Sequence, residues 1–329
     1  MSNKNKKTKK KRNIFTWYSI IIFILVLIII GFGTGFGVFM SYVKDAPEFD
    51  PKKLKPSETS MVFDQNGQII AELHGEQNRI PVPLEKIPKN LINAFIAIED
   101  QYFYSHKGIN IRSIIGSLVT NLMHGGIKRG ASTITQQLVK TAFLSSEQSW
   151  KRKAQEAWLA IQLERHYSKN EIMEFYLNQI YFGHSAYGVE SAADTYFGKS
   201  VDELDLAESA LLAGITKGPE YYSPYLNFDK SKERQEIILN TMAELGSVSK
   251  EEAENAKKEE LKLVGIKNVT TDYKAPYFTD YVIRELAAQF QKELGLSEDE
   301  AYNKIYTDGL KVYTTVDMKI QEAAEKALA

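Results

Sequence analysis

The sequence predicts a mainly α-helical protein with one small β-hairpin, preceded by a single transmembrane helix. Three features carry that prediction. No charged side chain occurs from Ile14 to Val43, a stretch centred on an unbroken apolar run from Ile20 to Ile30. Beyond Lys89, apolar residues recur at the three- and four-residue spacing of helices that bury one face. Between these regions, Asn66-Gly67 separates two short β-prone segments, the pattern of a tight hairpin.

Residues 1–13 form a basic tail with Lys4, Lys6, Lys7, Lys9, Lys10, Lys11 and Arg12 and no acid. The formal net charge of the 329-residue chain is only −1, so the remainder is net acidic, which argues against a nucleic-acid-binding surface. Residues 14–43 exceed the ~20 apolar residues that span a bilayer. The run is too long for the apolar core of a cleaved signal peptide, and Phe36-Gly-Val-Phe-Met40 offers no small-residue cleavage site. An uncleaved anchor is expected, with its basic end in the cytoplasm and the rest of the chain outside. Gly31, Gly33, Gly35 and Gly37 either let a second helix approach or are simply tolerated in lipid. There are no cysteines, which excludes disulfides and thiolate metal sites.

Residues 44–59, with Pro47, Pro51 and Pro56, read as a stalk, and the hairpin follows over Met61–Leu73. Leu91, Ala94, Phe95 and Ile98 define a helix ending at Glu99-Asp100. The segment Ile111–Met123 carries a continuous apolar stripe and stops at Gly125-Gly126. It is either a core helix or one seated in the lipid interface. Further helices are expected at 132–144, 147–166, 169–179, 187–196, 204–215 and 229–245, and another starts at Ser249 with a capping-box pattern. After Leu263 come a polar loop, helices near 277–294 and 297–306, and a strand over 310–316. The amphipathic helix that runs to Ala329 suggests a fragment of a longer protein.

Five blocks hold candidate chemistry. Glu99 and Asp100 close a helix, where the negative end of the dipole favours a basic carboxylate, although two solvated surface acids would look the same. Phe103, His106 and Gly108 complete this block. In the second block, Ser132, Thr133, Gln136 and Gln137 crowd the first turn of a helix and Lys140 follows two turns after Thr133. Either an anion rests there or the turn is generously capped. Arg152, Lys153 and Glu156 make the third block, and Arg152 and Glu156 alone would be an ordinary i,i+4 pair. The fourth block runs from Asn170 through Tyr176 and Gly183 to Ala193, and the fifth from Ala207 through Gly214 to Lys217, Pro219 and Pro224. Both read first as close packing.

In this order and spacing the five blocks resemble glycosyltransferase family 51, the peptidoglycan glycosyltransferases, over about residues 60–240, with Ala131 where a second glycine is more usual. The resemblance implies a lysozyme-like, two-lobed helical glycosyltransferase domain seated on the membrane. It implies polymerisation of lipid II and the growing lipid-linked glycan, and sensitivity to moenomycin. By that likeness Glu99 is the general base for the acceptor sugar's 4-hydroxyl, and Glu156 is the second functional carboxylate, beside Lys153. Lys140 and Arg152 stabilise the departing diphosphate. Ser132, Thr133, Gln136 and Gln137 line the same cleft, and Asp100, Phe103 and His106 shape the first block. No resident cofactor follows from the resemblance, and a divalent cation (Mg or Mn) bridging the diphosphate stays open. Membrane lipid and other cell-wall synthesis or division proteins are the remaining implied partners, and nucleic acid is not one.

Gly309–Asp317 resembles the entrance to the transpeptidase domain of class A bifunctional penicillin-binding proteins. The expected division is therefore tail 1–13, anchor 14–43, stalk 44–59, glycosyltransferase domain 60–246, and linker with the start of a transpeptidase domain over 247–329. Ser247-Val-Ser-Lys250 matches a Ser-x-x-Lys pattern by accident, since no Lys-Thr-Gly follows. Two rival readings stand beside this one: a lytic glycosidase of lysozyme-like fold, and a non-catalytic membrane scaffold. A metal hydrolase has little support, because the five histidines show no close ligand spacing.

Overall fold

The computed structural model describes residues 8–54, 60–73, 78–124, 132–144, 149–265 and 273–328. The glycine stop at 125–126, the Ala131 departure and most of the polar loop after Leu263 lie outside these residues.

Helix α1 covers Thr8–Lys44. Its segment Trp17–Lys44 has a mean hydropathy of 2.7, is not buried against the rest of the chain, and is long and apolar enough to cross a membrane. After two short strands, β1 (Ser60–Phe63) and β2 (Ile69–Leu73), and a third, β3 (Asn78–Arg79), the helical domain begins. It comprises α2 (Lys89–Glu99), α3 (Ile111–His124), α4 (Ile134–Phe143), α5 (Trp150–His166) and α6 (Lys169–Gln179). Strand β4 (Ala186–Tyr187) leads into α7 (Val189–Phe197), α8 (Leu206–Ile215), α9 (Phe228–Glu244) and α10 (Lys250–Lys258). The chain continues through α11 (Pro276–Leu294), α12 (Glu298–Thr307), β5 (Lys311–Tyr313) and α13 (Met318–Leu328). These helices match the sequence expectation to within about one turn, the usual uncertainty of helix ends.

The core is organised around α8, in which every residue from Ala207 to Ile215 is buried. A helix apolar or small on all sides has to be enclosed, and α2 and α9 pack on it. Gly214 permits the approach of α9, since a Cβ there would meet Arg234 Cγ at 3.0 Å. On α2, Phe95 is fully buried and meets Tyr176 and Phe182 edge to face at 5.8 and 6.2 Å. The fourth block forms the tight turn its glycines suggest. His184 and Ser185 both adopt positive φ, and a Cβ on Gly188 (φ 81°) would come within 2.8 Å of the Asn178 carbonyl.

Two placements differ from the sequence reading. The segment after the anchor is not a free stalk as far as it is described. Leu54 is fully buried, its carbonyl accepts from Gln179 Nε2 at 2.7 Å, and Phe49 stacks on Phe143 and His166. The end of α1 is likewise tied to α5, because Gln155 donates to the carbonyls of Tyr42 (3.3 Å) and Asp45 (2.9 Å). This side chain satisfies helix-end carbonyls that would otherwise lack partners. The hairpin also has a neighbour that its place in the sequence does not suggest. The antiparallel pair β1–β2 turns at Gly67 (φ 76°), and β1 then pairs in parallel with β5. Val62, Ile70 and Leu73 share a separate apolar cluster with Ile283 and Ala287 of α11 and Ala301 and Ile305 of α12. Only a strand some 250 residues distant completes the sheet, so local sequence could not place it.

Candidate active site

A cleft of about 630 Å³ opens between the first, second and fifth blocks. Its wall includes Glu99, Asp100, Ser132, Thr133, Gln137 and Lys217, with Arg234 from α9. Glu99 is the last residue of α2 and is half-buried. Its Oε2 accepts a 2.6 Å hydrogen bond from Gln137 Nε2. The Gln137 side-chain oxygen Oε1 in turn accepts from the Tyr176 hydroxyl at 3.3 Å. Burial, and then the negative charges of Glu99 and Asp100, hold the Tyr176 phenol well above its usual range, so it stays a donor. Its hydrogen bond to the amide oxygen fixes which end of Gln137 faces the carboxylate.

Asp100 points away from this open carboxylate. Its Oδ2 lies 2.7 Å from His106 Nε2 and accepts from the Ile134 backbone N–H at 3.3 Å. The anion at the start of α4 is therefore the chain's own Asp100. Of the two readings the sequence left open for this turn, the geometry shows a capped one, whose position favourable to negative charge already holds a carboxylate. Thr133 and Gln136 complete a reciprocal capping box, so Gln136, 6% exposed, is occupied in holding the helix start. The Thr133 hydroxyl donates to the Gly108 carbonyl at 2.7 Å. Gly108 (φ 86°) lies so close to α5 that a Cβ would meet the Ala160 carbonyl oxygen at 2.7 Å. Phe103 has no exposed surface and cannot touch a substrate; it supports His106 from below, with ring centroids 6.2 Å apart.

The third block forms a basic group around one buried acid. The Glu156 side chain is 1% exposed, with Arg152 Nε at 3.1 Å and Lys153 Nζ at 2.5 Å. Lys153 also reaches Ser132 Oγ at 3.3 Å, which joins this group to the cleft wall. An enclosed carboxylate of this kind orients its cations rather than meeting a substrate, because a buried charge needs every partner it has. Lys140 is exposed in the last turn of α4, outside the cleft wall, on the helix face that also carries Gln137.

A profile described as Transglycosylase matches residues 66–243, more than half of the chain. The chain belongs to the transglycosylase family. Among its relatives, penicillin-binding protein 2D of Bacillus subtilis is 40% identical over 291 residues, which cover 88% of this chain and 41% of that protein. Penicillin-binding protein 1A of Haemophilus influenzae is 41% identical over 267 residues, covering 81% of this chain and 30% of the relative. The chain thus spans less than half the length of these relatives. A crystal structure of penicillin-binding protein 1A from Haemophilus influenzae aligns over 83% of this chain and 29% of that one, at 30% identity and a TM-score of 0.44. The resemblance read from the five blocks and the mainly helical class both hold.

Within the transglycosylase domain, three residues of the site had no functional role in the sequence reading. Tyr176 and Lys217 stood in the fourth and fifth blocks, where packing was the first interpretation. Arg234 lies inside an ordinary amphipathic helix and gives no signal in the sequence. Lys217 and Arg234 both approach the Tyr222 ring, at 5.7 and 5.9 Å. Among the described residues, no three His, Asp or Glu side chains are grouped to hold a metal ion.

Proposed function

We propose that this domain polymerises lipid II into β-1,4-linked glycan, with Glu99 as the general base and a lipid diphosphate as the leaving group. The observation that carries this reading is a single open carboxylate, oriented by Gln137, in a cleft that also presents the cations Lys217 and Arg234. Direct attack by a sugar hydroxyl on a glycosyl diphosphate needs a proton acceptor and positive charge at the leaving oxygens. It needs little acid catalysis, because the diphosphate already leaves well. Lys140, Arg152 and Lys153 are assigned to the departing diphosphate. Lys217 and Arg234 are assigned to the diphosphate of whichever lipid-linked sugar lies over Glu99. A Mg or Mn ion, where one takes part, would be carried mainly by the diphosphate. Displacement at an α-linked donor gives the β-linked product.

The test is direct. The full chain in detergent, given purified lipid II and no nucleotide sugar, should form products longer than the dimer. A folded protein that forms none would sink the reading.

The membrane supplies both substrates, and two features support a domain seated on it. One is α1, which is long and apolar enough to cross a membrane; with the basic tail inside, the domain would lie outside the cytoplasm. The other is α3, where Ile111, Ile115 and Met123 are 69%, 58% and 77% exposed. A core helix would enclose such side chains, so α3 is assigned to the lipid interface. Spin labels at Ile111 and Ile115 should be shielded from water-soluble quenchers in bilayers and accessible in their absence. Equal accessibility in both conditions would remove α3 from the membrane. The names of the relatives support reading the segment after about residue 247 as the approach to a penicillin-sensitive transpeptidase domain in a longer parent protein. Other cell-wall synthesis or division proteins remain proposed partners of that parent.

A further inference from the structure

Behind the Glu99 wall lies a charged group to which the proposed reaction gives no part. Glu164, near the end of α5, places Oε1 2.6 Å from Lys169 Nζ at the start of α6 and accepts from Thr135 Oγ1 of α4 at 2.7 Å. The same oxygen lies 3.7 Å from His106 Nδ1, and Lys169 Nζ lies nearer that nitrogen, at 3.4 Å. His106 Nε2 meets Asp100 at 2.7 Å. The side chains of Asp100, Glu164 and His106 are 3%, 6% and 7% exposed, and that of Lys169 is 19% exposed. Lys169 also stands 4.5 Å above the Phe103 ring.

We propose that Glu164 and Lys169 are positioning residues for the general base, acting through His106 and Asp100; this rests on the reading of Glu99 as that base. An ammonium group has donors only, so Lys169 beside Nδ1 makes that nitrogen an acceptor. Nε2 then donates to Asp100, because the partner of one ring nitrogen sets the role of the other. Asp100 in turn holds the first backbone N–H of α4. The Glu99–Gln137 hydrogen bond therefore has both ends fixed by this group. Glu99 precedes Asp100 in the chain, and Gln137 lies one turn after Ile134. Glu164 ties in α4 a second time through Thr135, and α5 and α6 complete the frame.

The charges agree with this role. Two enclosed carboxylates without a cation would be costly, and Lys169 faces both. Burial pushes the Lys169 ammonium below its usual range, while the hydrogen bond and charge of Glu164, and then the charge of Asp100, draw it back up.

The experiment uses the full chain in detergent, with Lys169→Met, Lys169→Arg and Glu164→Gln. Misplacement of a catalytic group by about 1 Å can cost on the order of 10²-fold. Lys169→Met should therefore lower kcat for lipid II polymerisation by ~10–100-fold with KM little changed, and Lys169→Arg should recover most of the loss. Selective ¹⁵N-histidine labelling, with His106 assigned by its own substitution, should show the neutral Nε2–H form in the parent and its loss in Lys169→Met. If Lys169→Met does not fold, Glu164→Gln keeps the shape and should show the same fall in kcat. The inference is overturned by a folded variant with parental kcat, by a loss of stability with unchanged turnover per folded molecule, or by an unchanged His106 spectrum. An inactive parent protein would instead strike the glycosyltransferase reading, and the histidine spectrum would still test the frame.

Discussion

Glu99→Gln is expected to slow lipid II polymerisation by ~10²–10⁴-fold, the usual contribution of a positioned general base. The replacement keeps the volume and hydrogen-bonding shape of the side chain. Its amide oxygen can still accept from Gln137 Nε2, which donates to Glu99 Oε2 at 2.6 Å in the parent, so the cleft wall should hold. What is lost is a site for the proton of the attacking hydroxyl. Binding of the donor should change little, since the diphosphate is assigned to cations on other elements. Single-turnover polymerisation measured alongside thermal unfolding separates these effects. A folded Glu99→Gln protein with near-parental turnover would exclude Glu99 as the base and favour a non-catalytic scaffold.

Lys140→Ala should produce the second large effect. Lys140 is exposed at the end of α4, so its removal should leave the fold intact. This separates it from Arg152, whose loss would leave buried Glu156 short of a cation and disturb α5. A charge aimed at a leaving diphosphate can contribute ~3–4 kcal/mol to the transition state, so the rate should fall by ~10²–10³-fold. Affinity for diphosphate-containing inhibitors should fall with it. A glycosidase acting on finished strands has no diphosphate, and the same substitution would leave its activity almost unchanged. Near-normal polymerisation by Lys140→Ala would overturn the assignment of this lysine.

The glycosidase reading also fits the cleft poorly. Most such enzymes place two carboxyl groups across the scissile bond, ~5–9.5 Å apart. The cleft wall contains two acids, Glu99 and Asp100, and Asp100 is turned inward to His106 and the Ile134 N–H. The cations Lys217 and Arg234 in the same wall suit an anionic substrate better than a neutral strand.

Much of this protein was determined by local sequence. The apolar run of α1 exceeds any bilayer requirement whatever surrounds it, and the helices of the domain follow from three- and four-residue periodicity and from caps such as Thr133-x-x-Gln136. Through their family resemblance, the first three blocks single out Glu99, Gln137, Lys140, Arg152 and Glu156. Tertiary structure decided which of these open onto the cleft. Asp100 and Glu99 are neighbours with the same side-chain chemistry, yet one seals the start of α4 and the other is open to the cleft. Gln136 and Gln137 divide in the same way, one capping and one holding Glu99. Arg234, Glu164 and Lys169 gain their places from helices that meet only in the folded chain, and β5 joins the hairpin across most of the sequence. Periodicity and capping act over a few residues and can be read along the chain. Burial, charge pairing and sheet closure depend on groups far apart in sequence, and only the packed structure brings them together.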